Sequence, residues 1–191
     1  EHGSVENDTS PTFAFDSSEP DSTFKCRIYR SGLTPPAFGA CSGTGTHTET
    51  ISSGTYTFDV QATDPRGNTD PTPAFRTWTV DTKGPTVETW SPKGRKVSPR
   101  AKPTVTFSEK MNKALIEARR DGNPTTFVLR KGTRKVAASV SYIEDGNTFK
   151  AVLTPNKRLR RGATYTATVT TAAEDLAGNA VVAKTWRFTV K

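Results

Sequence analysis

Histidine, cysteine, methionine and leucine are all scarce in these 191 residues: two, two, one and six. His2 and His47 alone provide no recognisable metal-ligand spacing, and no histidine follows residue 47 to serve a Ser/His/Asp arrangement. A G-x-S-x-G elbow and a phosphate-binding glycine loop are missing as well. The adjacent Glu174 and Asp175 would face opposite sides of a strand, which suits a turn better than acid–base catalysis. Neither an enzyme nor a cofactor is expected. No apolar run approaches the 18 or so residues of a membrane helix, and the polar start Glu1-His2-Gly3-Ser4 does not read as a secretory signal. Any signal or anchor is expected to lie outside residues 1–191.

Threonine is abundant instead, with 32 copies beside ten phenylalanines. β-Branched and aromatic side chains suit a pleated, half-buried surface, so the fold expected is all-β with little helix. The net charge of +8 is unevenly spread: residues 1–84 hold 6 basic against 11 acidic groups (−5), and residues 85–191 hold 21 against 8 (+13). A basic half of this kind points to an acidic partner, such as anionic wall polymer, polysaccharide, phospholipid surface or nucleic acid. The alternative is a solvated basic face with no partner.

One pattern occurs twice, about 108 residues apart. The first copy runs Gly54, Tyr56, Phe58, Val60, Ala62, Asp64, Gly67, Asn68, Thr77, Trp78 and Val80, and the second runs Gly162, Tyr165, Ala167, Val169, Asp175, Gly178, Asn179, Thr185, Trp186, Phe188 and Val190. Each copy closes its half of the chain and reads as the last hairpin of a domain. The expected division is a disordered leader over 1–10, one domain over 11–83 and a basic domain over 84–191.

Alternation marks the strands. Phe24, Cys26 and Ile28 oppose Lys25 and Arg27, and further strands are expected near 12–15, 46–51, 56–63, 76–80, 87–90, 104–107, 127–130, 136–143 and 148–153. Turns are expected at Lys131-Gly132 and around Gly146-Asn147. The one helical pattern has Ser108 as cap and Met111, Ala114, Leu115 and Ala118 at i, i+3, i+4 and i+7, ending before Asp121-Gly122-Asn123-Pro124. A bond between Cys26 and Cys41 would close about 16 residues and contribute roughly 3 kcal/mol in the chain-entropy model, in an oxidising compartment. The alternatives are two free thiols or half a metal site.

Several residues are candidates for special roles. Tyr165, in L-x-x-G-x-x-Y spacing from Leu159, and Tyr56 are placed to turn a hydroxyl back onto upstream backbone as tyrosine corners; the simpler reading is a core or rim tyrosine. Asp64, Asn68 and Asp70 gather oxygen ligands that calcium would accept, although such residues also cap turns through backbone amides. Basic groups cluster at Arg95, Lys96, Arg100 and Lys102, at Arg130, Lys131, Arg134 and Lys135, and at Lys157, Arg158, Arg160 and Arg161. Almost no aromatics interleave them, which disfavours nucleic acid and leaves anionic wall polymer or an acidic glycan. An exposed aromatic platform, with Trp90 the candidate, would favour carbohydrate.

With these residues located, both halves resemble bacterial immunoglobulin-like domains. Residues 11–83 resemble a repeat of secreted actinobacterial-type surface proteins, through Phe24-Lys25-Cys26, Cys41, Gly54, the run from Thr57 to Asp64, the run from Gly67 to Ala74 and Thr77-Trp78-Thr79-Val80-Asp81. Residues 85–191 resemble the Ig-like domain of surface-layer proteins, through Pro85, Phe107-Ser108-Glu109-Lys110-Met111, Leu153-Thr154-Pro155, Leu159, Gly162, Tyr165, Asp175-Leu176-Ala177-Gly178-Asn179 and Trp186-Arg187-Phe188. The resemblance implies two tandem immunoglobulin-like β-sandwiches, the second with one short helix, in a secreted or cell-surface bacterial protein. Such domains serve as non-catalytic stalks, spacers or adhesion modules beside the other domains of the parent. The rival expectation is a polymer- or carbohydrate-binding accessory module of an extracellular enzyme.

Overall fold

A computed structural model describes residues 3–120 and 123–191. Glu1, His2, Asp121 and Gly122 lie outside the described residues, and with them the first two residues of the polar start and half of the turn expected after the helix. About 51% of the chain is strand, so the protein is all-β. It divides into two compact units, residues 1–82 and 83–191.

In the first unit β1 (Ser4–Glu6), β2 (Thr12–Ala14), β3 (Thr23–Arg30), β4 (Gly39–Ala40), β5 (Thr46–Thr48), β6 (Gly54–Thr63) and β7 (Ala74–Val80) form a five-stranded sheet in the order β1-β7-β6-β3-β4 and a two-stranded sheet of β2 and β5. Phe13 from the small sheet stacks on Phe58 of the large one, with ring centroids 4.3 Å apart, and tilts against Trp78. Cys26, Tyr56, Val60 and Val80 complete this core, and a disulfide joins Cys26 to Cys41.

One expectation fails here for a physical reason. The leader is not disordered throughout, because Ser4–Glu6 runs parallel to β7, with Ser4 opposite Trp78 and Glu6 opposite Val80. Arg76 also pairs with Glu6. Polar sequence does not prevent edge pairing, because the ladder is made by backbone groups. The outer face of β6 is covered as well as its inner one: Tyr56 to Val60 are all buried, Thr57 and Asp59 included. As a central strand between β3 and β7, β6 has long side chains from both neighbours lying over its outer face.

The second unit contains β8 (Val87–Ser91), β9 (Gly94–Val97), β10 (Thr104–Phe107), α1 (Lys113–Ile116), β11 (Arg119–Arg120), β12 (Asn123–Pro124), β13 (Phe127–Lys131), β14 (Arg134–Lys135), β15 (Ala138–Asp145), β16 (Thr148–Pro155), β17 (Thr164–Val169) and β18 (Lys184–Val190). One sheet runs β15-β16-β10-β8 and another β14-β13-β17-β18-β9, while β11 and β12 pair with each other. A single core joins the two larger sheets, with Val105, Phe107, Tyr142 and Leu153 on one side and Phe127, Leu129, Ala167, Trp186 and Phe188 on the other. A short edge strand again runs parallel to the closing strand, here β9 against β18.

The helix is a single turn with a different cap from the one expected. Asn112 accepts hydrogen bonds from the amides of Ala114 and Leu115, while Ser108 Oγ accepts one from the Thr86 amide at 2.9 Å. Met111 and Ile116 are buried rather than the Met111/Ala114/Leu115/Ala118 stripe. At and just past the end of the helix the chain is held laterally: Thr126 Oγ1 donates to Ile116 O at 2.9 Å and the Thr125 amide to Ala118 O at 3.2 Å.

A basic concavity as the candidate functional site

Each signature loop is built by one aspartate. Asp64 Oδ1 accepts the amides of Arg66 and Asn68, at 2.9 and 2.7 Å, and its Oδ2 accepts Asn68 Nδ2 at 2.7 Å. Asp175 repeats this with Ala177 and Asn179, at 2.8, 2.9 and 2.9 Å. Gly67 and Gly178 take φ of +91° and +90°, a conformation open to glycine and costly for most other residues. At the candidate calcium loop the oxygens are therefore engaged by the loop itself. Asn68's side-chain amide, followed by its backbone amide, holds the Asp64 carboxyl below the usual carboxylate range. The amide and hydroxyl of Thr72 do the same to Asp70.

The two tyrosines differ. Tyr165 Oη accepts the Arg160 amide at 2.8 Å, which is tyrosine-corner geometry. Tyr56 Oη is 3.4 Å from Ser52 Oγ and meets a side chain rather than backbone. Both are buried, as are Trp78 and Trp186.

The ten basic candidates do not form one patch. Arg95 and Lys96 lie on β9 at one edge of the five-stranded sheet. Arg130, Lys131, Arg134 and Lys135 form the β13–β14 hairpin at the opposite edge, where Arg130 Nη1 donates to Thr133 O at 2.8 Å. Arg160 and Arg161 belong to the corner loop. Lys157 and Arg158 instead meet Arg100 and Lys102 around a concavity of about 270 Å³, floored by Pro99, Ala101, Thr154, Pro155 and Asn156.

Main-chain pins create that convergence. The Leu153 amide donates to Pro103 O and the Leu159 amide to Pro99 O, each at 2.8 Å, so residues 99–103 are fastened beside residues 153–159 at both ends. Leu159 is buried and the tyrosine corner follows at once. Four exposed cations thus surround one hollow with no carboxylate in its lining. Like charges so arranged repel one another and raise the local concentration of anions. Residue spacing alone did not join Arg100 and Lys102 to Lys157 and Arg158, because the pairing of β10 with β16 brings them together.

Trp90 does not serve as an open platform. Lys184 Nζ lies 3.6 Å and Lys93 Nζ 4.3 Å from its ring centroid, and the ring packs against the core. Aromatics flank open hollows in the first unit, Tyr29 and Phe75 at one and Phe13, Phe15 and Phe58 at another.

Hydrogen-bonded sheets sharing a core, with a tyrosine corner and a parallel edge strand, define an immunoglobulin-like β protein. Residues 81–190 match the family described as Bacterial Ig-like domain, and the chain belongs to that family. The N-terminal part of the bacterial S-layer protein SbsC is 22% identical with a TM-score of 0.38, covering 56% of this chain and 23% of that one. The Bacteroides ovatus mixed-linkage glucan utilization locus protein SGBP-B, solved with a mixed-linkage heptasaccharide, is 14% identical with a TM-score of 0.34, covering 98% and 42%. The Clostridium thermocellum CbhA fibronectin(III)-like modules are 17% identical with a TM-score of 0.40, covering 100% and 90%. This chain thus spans less than a quarter of the SbsC structure. No curated protein matches it. Among the described residues no helix is long and apolar enough to cross a membrane.

Proposed function

We propose that the chain is a non-catalytic stalk or spacer of two tandem immunoglobulin-like β-sandwiches, residues 11–83 and 84–191, within a larger secreted or cell-surface bacterial protein. Its second domain, which carries the one short helix, adheres to anionic wall polymer or acidic glycan. Membership of the bacterial Ig-like family supports the structural role. The Cys26–Cys41 disulfide supports an oxidising, extracytoplasmic setting. The observation that carries the adhesive role is the hollow ringed by Arg100, Lys102, Lys157 and Arg158 without an acidic neighbour.

Retention of the chain on heparin and on purified teichoic-acid-bearing walls tests this. Elution is expected to depend steeply on salt, because ion contacts are screened within about 10 Å at 0.1 M. Replacing the four cations by alanine is expected to lower the eluting salt concentration more than replacing Arg130, Lys131, Arg134 and Lys135. Retention indifferent to salt, or to the four substitutions, overturns the reading.

A further inference from the structure

Three connections between the two larger sheets of the second unit cross at the same end: residues 98–103 between β9 and β10, 136–137 between β14 and β15, and 156–163 between β16 and β17. Strand register fixes that end, with Ala138 opposite Pro155 in one sheet and Val97 opposite Val190 in the other. Main-chain hydrogen bonds then fasten the connections together. The Asn156 amide donates to Ala137 O at 2.9 Å, the Leu159 amide to Pro99 O at 2.8 Å and the Gly162 amide to Val190 O at 2.9 Å.

Charge is sorted along the same axis. Residues 98–103 hold two basic groups, 156–163 hold four and the β13–β14 hairpin, which leads into 136–137, holds four; none of these segments contains an acidic residue. The described acidic residues after 84 sit instead at the start of β8, between β10 and β13, at the close of β15 and in the β17–β18 loop. Those places share the opposite end, since Val87 is opposite Phe107, which is opposite Phe149, which is opposite Glu144. The +13 of residues 85–191 is therefore polarised, and the clusters that stand at separate sheet edges share one end of the sandwich.

Nine of those ten cations are exposed and Arg130 is half-buried. Among the described residues none of the ten is in an ion pair. The hairpin and β9 occupy opposite edges of the five-stranded sheet, whose four strand spacings make it about 19 Å wide. A small anion in the hollow of about 270 Å³ reaches Arg100, Lys102, Lys157 and Arg158 and leaves the hairpin unserved. Engaging both takes negative charge that recurs over a length comparable with that width. None of the exposed large apolar side chains is at this end, so neither base stacking nor insertion into a lipid surface adds to the attraction.

We infer that the whole basic end is one docking surface for a long linear polyanion, which lies from the hollow onto the β13–β14 hairpin. This rests on the adhesion proposed for the hollow, which supplies the first contact. The hairpin supplies a second, and two contacts joined through one chain bind more tightly than either alone.

Calorimetric titration of the full chain with heparin oligosaccharides and inorganic polyphosphates, each as a short and a long fraction, tests it. The long fraction is expected to bind at least about tenfold more tightly than the short one, with a steeper dependence on salt because more ions are released. The tighter series tells a sulfated sugar from a phosphate source. Alanine at Arg130, Lys131, Arg134 and Lys135 should abolish the gain of the long fraction and spare the short one, with the thermal transitions in place. Alanine at Lys113, Arg119, Arg120 and Lys150 removes equal charge from the other end and should change neither. Absence of all binding overturns the adhesion itself and this inference with it. Equal affinity of short and long fractions, or equal losses from the two sets of alanines, overturns this inference and leaves the hollow standing. Tighter binding of oligothymidylate of the long fraction's length would assign the end to nucleic acid and overturn it too.

Discussion

Asn179 donates to both oxygens of Asp175, its backbone amide to Oδ1 and its side-chain Nδ2 to Oδ2, each at 2.9 Å. Asn68 does the same to Asp64, at 2.7 Å in each case. The geometry is shared and the surroundings are not: Asp175 is 3% exposed, whereas Asp64 is only partly buried. Removing a buried charged acceptor strands its donors, at a cost of about 1.5–3 kcal/mol, while water replaces a partly buried one. Asp175→Ala is therefore expected to lower the urea midpoint of the second unit by much more than Asp64→Ala lowers that of the first. Fluorescence of single-tryptophan variants retaining Trp78 or Trp186 would follow each unit separately, and equal losses would contradict the difference in burial.

Acid should act on the first unit through Asp64 and Asp70, whose carboxyls are held below the ordinary aspartate value by hydrogen bonds from Asn68 and Thr72. Because the folded value is the lower one, the stabilisation is fully present above the unfolded value near 4 and is lost as pH falls through the folded value. NMR titration is expected to give both groups midpoints below that ordinary value. Asn68→Ala should return Asp64 towards it and leave Asp70 unmoved.

The repeated tyrosines separate in the same way. Phenylalanine at 165 leaves the Arg160 amide without its acceptor, for an expected loss of about 1–2 kcal/mol in the second unit. Phenylalanine at 56 removes only a 3.4 Å contact with Ser52 and should cost the first unit less. Chemical denaturation of both variants decides this, and a larger loss for Tyr56→Phe would undo the assignment of the corner to Tyr165 alone.

What could be read from the chain follows one line. Features carried by side-chain pattern were legible: β3, β10, β15 and β16 by alternation, the turns at Gly132 and Gly146 by their residue types, and the Tyr165 corner by spacing. Features carried by backbone pairing were not, because β1 and β9 are polar edge strands that contribute main-chain hydrogen bonds beside β7 and β18. Burial set by neighbouring strands was hidden too. Asp59 reads as the outward member of an alternating run until Arg27 and Phe75 are placed on either side of it. The basic hollow required the register of β10 with β16, and no local pattern encodes that pairing.

The Cys26–Cys41 disulfide should matter most to the unit with less core. Seven buried residues form the first unit's cluster and 21 the second's, so a covalent tie is a larger share of what holds the first together. Cys26 pairs with Gly39 across β3 and β4, and Cys41 follows β4 directly, so the bond fixes the outermost strand of the five. Closing a loop with sequence separation 15 contributes about 3 kcal/mol in the chain-entropy model. Reduction with dithiothreitol is expected to lower the thermal transition of the first unit while leaving that of the second, which has no cysteine, in place. A Cys26→Ser/Cys41→Ser variant should match the reduced protein, and an equal shift of both transitions would show that the tie supports more than its own unit.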